Sequence, residues 1–168
     1  MLALAVMSIG SCGENPDVAA TEMTTRRVDA KSDCESLLSA LMPFAKQMLS
    51  KHGEFFPFGG TMSTSGEITQ SAAGTGEERP PSQALMNMLR AGFRAAAERG
   101  EIRAAAIVYD TLVVPPGKTS KQDAVTVALD HRDDYSVVVV FPYSRLADGT
   151  VHLDSPFASQ GSGEVFVR

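Results

Sequence analysis

The chain has 168 residues, 43% of them hydrophobic and 21% charged, with 15 Lys and Arg against 20 Asp and Glu for a net charge of −5. That length suits one ordinary domain and that mix is globular, while the mild acidity argues against a dedicated nucleic-acid binder, which needs a basic excess to meet phosphates. Two cysteines exclude a disulfide framework, and no apolar run reaches the roughly 20 residues that span a bilayer.

The N-terminus is apolar from Met1 to Ile9 and continues Gly10-Ser11-Cys12. An aliphatic residue, two small residues and a cysteine resemble the lipobox of bacterial lipoprotein signal peptides. The resemblance implies a signal segment over residues 1–12, with Cys12 taking the lipid. Attachment through Cys12 would place the protein in the cell envelope or periplasm, and without it the expected compartment is the cytoplasm. A plain N-terminal extension is the other reading of these residues. Residues 13–31 contain Asn15-Pro16-Asp17 and no clear period, the composition of a flexible tether. A single domain is expected over residues 32–168.

Ser32-Asp33-Cys34-Glu35 fits a capping box, so the first helix is expected to start there. Leu37, Leu41, Phe44, Ala45 and Met48 recur at helical spacing, with Pro43 expected to kink or break the helix and Gly53 to end it. Cys34 reads as structural and unpaired. Residues 54–64 read as a strand bent or bulged at Pro57 and Gly59-Gly60, returning after Ser65-Gly66 as a second strand over residues 67–71. Residues 73–81, rich in Gly and Pro, read as a mobile loop. Ser82 is expected to cap a second helix that buries Leu85, Leu89, Phe93 and Ala96 and stops at Gly100.

The second half is β-rich. Ile102 to Val114 forms one long strand, and Val125, Val127 and Leu129 alternate with smaller residues in the next. A charged turn at His131-Arg132-Asp133-Asp134 leads to Tyr135–Phe141, apolar on both faces and therefore expected at the centre of the sheet. Asp148-Gly149 turns the chain into Val151-His152-Leu153, and Glu164 to Val167 is expected to add a last strand. The fold class is α/β of the α+β kind: a mainly antiparallel sheet of five to six strands with two main helices.

The order helix, hairpin, helix, antiparallel meander resembles the profilin-like and roadblock/longin architecture, over roughly Ser32 to Tyr143. It is a resemblance of element order and implies no activity. His52-Gly53-Glu54-Phe55-Phe56-Pro57-Phe58-Gly59-Gly60 and Phe141-Pro142-Tyr143 resemble a family of small uncharacterised bacterial α/β proteins, which implies no reaction and no ligand.

His52, Glu54, Phe55, Phe56 and Phe58 form the densest cluster. They read either as the rim of a ligand groove, with Glu54 as a base, or as a helix end followed by a strand that buries alternate aromatics. Asp110 lies in an apolar strand, on the face of Val108, Leu112 and Val114. It reads as an acid of shifted pKa or as the partner of a nearby arginine such as Arg103 or Arg94. Asp130, His131, Asp133 and Asp134 lack the spacing of a cation loop and read more simply as a charged turn. His152 is expected to face solvent. No nucleophile stands in Gly-x-Ser-x-Gly, the glycines near Gly74 precede acids instead of Lys-Ser, and no cofactor or metal set is legible.

Three functions compete. The first is a non-catalytic binding module, envelope-attached through Cys12, meeting a protein or small ligand; an inhibitor or immunity-type protein with a basic target belongs here. The second is a small hydrolase-like enzyme using Glu54, Asp110 or His131. The third is a structural homodimer joined through a sheet edge or helix face.

Overall fold

The computed structural model describes residues 16–167. Two helices, α1 (Pro16–His52) and α2 (Ser82–Glu98), accompany seven strands. These are β1 (Phe58–Ser63), β2 (Ile68–Ala72), β3 (Ile102–Val113), β4 (Gln122–His131), β5 (Tyr135–Arg145), β6 (Val151–Leu153) and β7 (Phe157–Gln160). The pairings are antiparallel and run β2-β1-β3-β4-β5-β6, with β7 also on β5. The fold is α+β, an antiparallel sheet with a helix on each face.

The period of two along β3 divides the core. Ala104, Ala106 and Val108 point to one face, where Leu37, Leu41, Ala45 and Leu49 of α1 pack with Val125, Val127 and Leu129. Ala105 and Ile107 point to the other face, under Leu89 and Phe93 of α2. Burying each large aliphatic side chain contributes about 1.5–3 kcal/mol, so neither helix depends on intrinsic propensity alone.

The helix expected from Ser32 runs unbroken from Pro16, and Ser32 lies in its interior, its carbonyl accepting from the Ser36 hydroxyl at 2.9 Å. Residues 16–31, tether-like in composition, are therefore helical; residues 1–12 and Cys12 lie outside the described residues. Pro43 does not break α1. It sits on the exposed side, where the carbonyl it frees can be hydrated. Gly53, at φ 76°, ends the helix by donating its N–H to the Leu49 carbonyl at 2.9 Å.

Other boundaries differ for local reasons. β1 starts at Phe58 and not Glu54, because Pro57 cannot donate to a ladder. The irregularity expected at Gly59-Gly60 falls at Met62/Ser63, where the pairing with β3 shifts register. α2 begins at Ser82, yet no side chain caps it; the Pro81 carbonyl accepts from Ala84 at 2.9 Å. β5 is not central. β3 and β4 hold the middle of the sheet, and β5 pairs with β4 on one side and with the short β6 and β7 on the other, β7 running opposite Val137 to Val140; Val137 to Val139 are half-buried. The last strand is β7 and not residues 164–167. That segment docks instead through Val165, which is buried and donates its N–H to Asp130 Oδ2 at 2.8 Å.

The two glycines of β1 have a packing role. A Cβ on Gly59 would stand 2.5 Å from the Ala106 carbonyl oxygen and 2.8 Å from the Phe93 ring, and one on Gly60 would stand 2.9 Å from Leu41. Each helix thus approaches its own face of β1 through a missing side chain. Gly59→Ala should cost about 1–3 kcal/mol by overpacking, whereas Gly74→Ala, with open space around it, should change stability by less than about 0.5 kcal/mol. Urea unfolding of the two variants checks this; equal midpoints would show that the close approach is not needed.

Candidate functional site

His52, Glu54, Phe55 and Phe56 come together where α1 ends. With Met48 on α1 and Ser82 opening α2, they line a cavity of about 380 Å³. His52 and Glu54 are exposed, and Phe56 is 52% exposed although it is a large apolar ring. Phe55 is buried and forms the floor, edge-on to Phe58 with centroids 5.8 Å apart. Phe58 belongs to the core and not to the groove: it is 2% exposed and also meets Phe44 edge-on at 4.9 Å. Arg145 braces this end, its Nη2 donating to the Ser50 carbonyl at 3.4 Å near the helix's negative terminus.

Three more exposed apolar side chains lie at the same end of the sheet. Leu112 and Val114 stand where β3 runs out, and Leu146 follows the end of β5, at 56%, 50% and 54% exposure. The register places them there: Phe58 pairs with Val108, so Phe56 precedes β1 on the side where β3 ends. Four large apolar groups from three chain segments therefore edge one end of the domain.

Asp110 is also at this end, exposed at residue level. It shares the face of Val108, as alternation predicts, but Leu112 and Val114 on that face are exposed and its partner is not an arginine. Tyr143 donates its hydroxyl to both carboxylate oxygens, at 3.3 and 3.2 Å. Partial desolvation holds the Asp110 carboxyl above its ordinary value, the Tyr143 bond opposes this, and the charges of Asp123 and Glu54 add to the rise. The Tyr143 phenol is itself raised well above its ordinary range, by burial first and then by Asp110.

His131 lies elsewhere. It pairs with Ala104, six positions along β3 from Asp110, or about 20 Å at 3.3 Å per residue. It is 4% exposed, and both ring nitrogens are engaged. Nδ1 accepts the Asp133 backbone N–H at 3.1 Å, which places the ring proton on Nε2, 3.1 Å from Asp33 Oδ2. Asp33 Oδ1 accepts from Arg103 Nη2 at 2.7 Å, and Arg103 Nη1 donates to the Thr64 carbonyl at 3.2 Å. These groups clamp α1 to β3, β4 and the β1–β2 turn, beside a polar cavity of about 240 Å³. Cys34, one residue along, is a buried free thiol pushed up to about 12 by desolvation and the neighbouring carboxylates. It is therefore a neutral packing group.

Glu54 and Asp110 thus share one end of the domain and His131 occupies the other. Neither Asp110 nor His131 lines the cavity at Glu54. The turn expected at residues 131–134 is present, closed by Asp134 at φ 59°. Among the described residues no group of three His, Cys, Asp or Glu side chains is placed to hold a metal ion. His152 is exposed, 3.5 Å from Asp154.

Sequence reasoning missed Asp33 and Tyr143. Asp33 carried a signal: it stands four residues before Leu37 and eight before Leu41, in line with the buried stripe, and a carboxylate there needs a partner. Tyr143 carried none, because its contact with Asp110 joins strands that are not neighbours.

No protein-family model, curated protein or solved structure matches the chain.

The raised Asp110 carboxyl fixes the sign of a pH effect. A folded acid above its ordinary value of 3.8 binds its proton more tightly than the unfolded chain does. Its ionisation therefore costs stability as pH rises through that window, and the cost is absent below 3.8. Asp110→Asn keeps an acceptor for Tyr143 and removes the charge. Its stability relative to the parent chain should rise between acid and neutral pH in urea titrations, and a difference that stays flat or falls would contradict the assignment.

Proposed function

We propose that this protein acts by binding and not by catalysis, and that the groove of His52, Glu54, Phe55 and Phe56 receives part of a protein partner or a small ligand. The observation that carries this reading is the exposed Phe56 ring at a cavity that Phe55 also lines, with exposed Leu112, Val114 and Leu146 at the same end of the sheet. An apolar ring held in water contributes nothing to folding and gains when something covers it. The groups that could do acid–base work support the same reading. His131 spends both nitrogens inside the clamp, and Asp110 faces Tyr143. An inhibitor or immunity-type role against a basic target fits the charge of −5.

The test separates groove from core. Titrating the protein with a library of small aromatic fragments, followed by backbone amide NMR, should move resonances of His52, Phe56 and Ser82. Phe56→Ala should weaken those fragments about tenfold with a nearly unchanged Tm. Phe58→Ala should instead unfold or strongly destabilise the chain, by about 3–5 kcal/mol. A hydrolytic or transfer activity lost in Glu54→Gln or Asp110→Asn, with folding intact, would overturn the reading in favour of an enzyme.

Attachment to the envelope through Cys12 belongs to the same proposal and rests on the lipobox-like residues. Anchoring by one acyl chain is marginal, so a processed lipoprotein needs several. Cells expressing the gene should incorporate a palmitate analogue into the parent chain and not into Cys12→Ser. Unlabelled cytosolic protein, indifferent to that substitution, would remove the envelope from the account.

A further inference from the structure

Among the described residues the sheet ends on one side in β2 and on the other in the short strands β6 and β7. β2 ends the strand order and pairs only with β1. The direction of its free groups follows from the hairpin. Ser63 donates its N–H to the Glu67 carbonyl at 2.8 Å, so the pairs Thr61–Thr69 and Gly59–Ser71 face each other in the ladder, by the alternation of antiparallel strands. The N–H and C=O groups of Ile68, Gln70 and Ala72 therefore point away from β1. Edge strands are ordinarily blunted by a charge, a proline or a bulge. Ile68-Thr69-Gln70-Ser71-Ala72 has no charge or proline, and its pairing with β1 runs without a register shift.

We propose that this edge is a docking strand for an extended, Lys/Arg-containing segment of another protein, which adds to the sheet beside β2. The proposal rests on the binding-module reading and gives the partner its chemistry. Backbone hydrogen bonds to Ile68, Gln70 and Ala72 supply the pairing. Charge selects the occupant: from Ser63 to Arg79 the chain carries exposed Glu67, Glu77 and Glu78 against the single base Arg79, and Arg103, which reaches the β1–β2 turn, is already held by Asp33. A basic segment meets complementary charge there. A second copy pairing antiparallel about Gln70 would set Glu67 opposite Ala73 and supply no basic side chain to meet it.

Selection from a random-peptide display library against the whole chain tests this. Enriched peptides should be proline-free, rich in β-branched residues and net positive, and their binding should weaken with added salt. Gln70→Pro removes an outward N–H that β1 does not use, so the fold should persist while affinity falls about tenfold. Gln70→Lys keeps the backbone donor and should weaken basic peptides by repulsion, which covers the case in which the proline variant does not fold. Enriched peptides that are acidic, or that bind both variants as well as the parent, would overturn the proposal. Binding lost in Phe56→Ala but kept in both Gln70 variants would overturn it while leaving the groove as the binding site. Dimerisation of the parent chain, abolished by Gln70→Pro, would also overturn it and assign the edge to self-pairing.

Discussion

The close approach of two helices to opposite faces of one thin strand governs this structure. At Gly59 the Phe93 ring of α2 lies where a side chain would be, and at Gly60 the same is true of Leu41 of α1. Side chains alternate along a strand, so two adjacent glycines open both faces at one level. Sheet and helices there are separated by little more than one layer of atoms. The alanines of β3 extend this thinness inward, since Ala104 and Ala106 lie under α1 and Ala105 under α2. Larger residues gather towards the end of α1, where Phe44, Phe55 and Phe58 interlock.

The thin region has little apolar volume with which to fix the helix along its axis, and polar contacts supply the fixing. Asp33 reaches Arg103 and His131 in one bifurcated contact, and Arg103 continues to the Thr64 carbonyl. Asp130 does the same on the other face, holding the Ser136 hydroxyl and the Val165 N–H. Partly buried ion pairs add little net stability, because desolvation offsets attraction. Their directionality gives them another effect. A one-turn slip of α1 would keep its apolar stripe covered but take Asp33 away from Arg103 and His131, which is costly for a partly buried carboxylate.

Much of this was legible in the chain. Element order, the face of Val125, Val127 and Leu129 in β4 and the buried side of α2 follow from periodicity and turn chemistry. What periodicity could not supply is competition between elements. Four consecutive valines suggest a central strand, yet β5 has only the short β6 and β7 on its outer side, because sheet order is set by which hairpins close and not by which strand is most apolar. Ser32-Asp33-Cys34-Glu35 has the residues of a helix start, but that signal is local, and α1 passes through it because the turn before it is helical too. Asp33 is then free to serve as a partner for Arg103. In the groove, Phe58 was grouped with Phe55 and Phe56 because they are adjacent in sequence. Strand alternation and the turn before β1 separate them, sending Phe58 inward and leaving Phe56 in water.

The two ends of α1 differ in what folding leaves uncovered. At the Asp33 end, charges are paired internally, so that end presents satisfied polar groups to any visitor. At the His52 end apolar groups are left in water: Phe56, Leu112, Val114 and Leu146 each keep about half of their surface exposed. Water tolerates an exposed polar group that already has its partners and is unfavourable beside clustered apolar rings. On the proposed binding reading, a partner would gain most at the end where covering apolar groups breaks no bond that folding made. That is the end of the domain where α1, β1, β3 and β5 converge, and where the loops that could change without disturbing Asp33 or Gly59 are found.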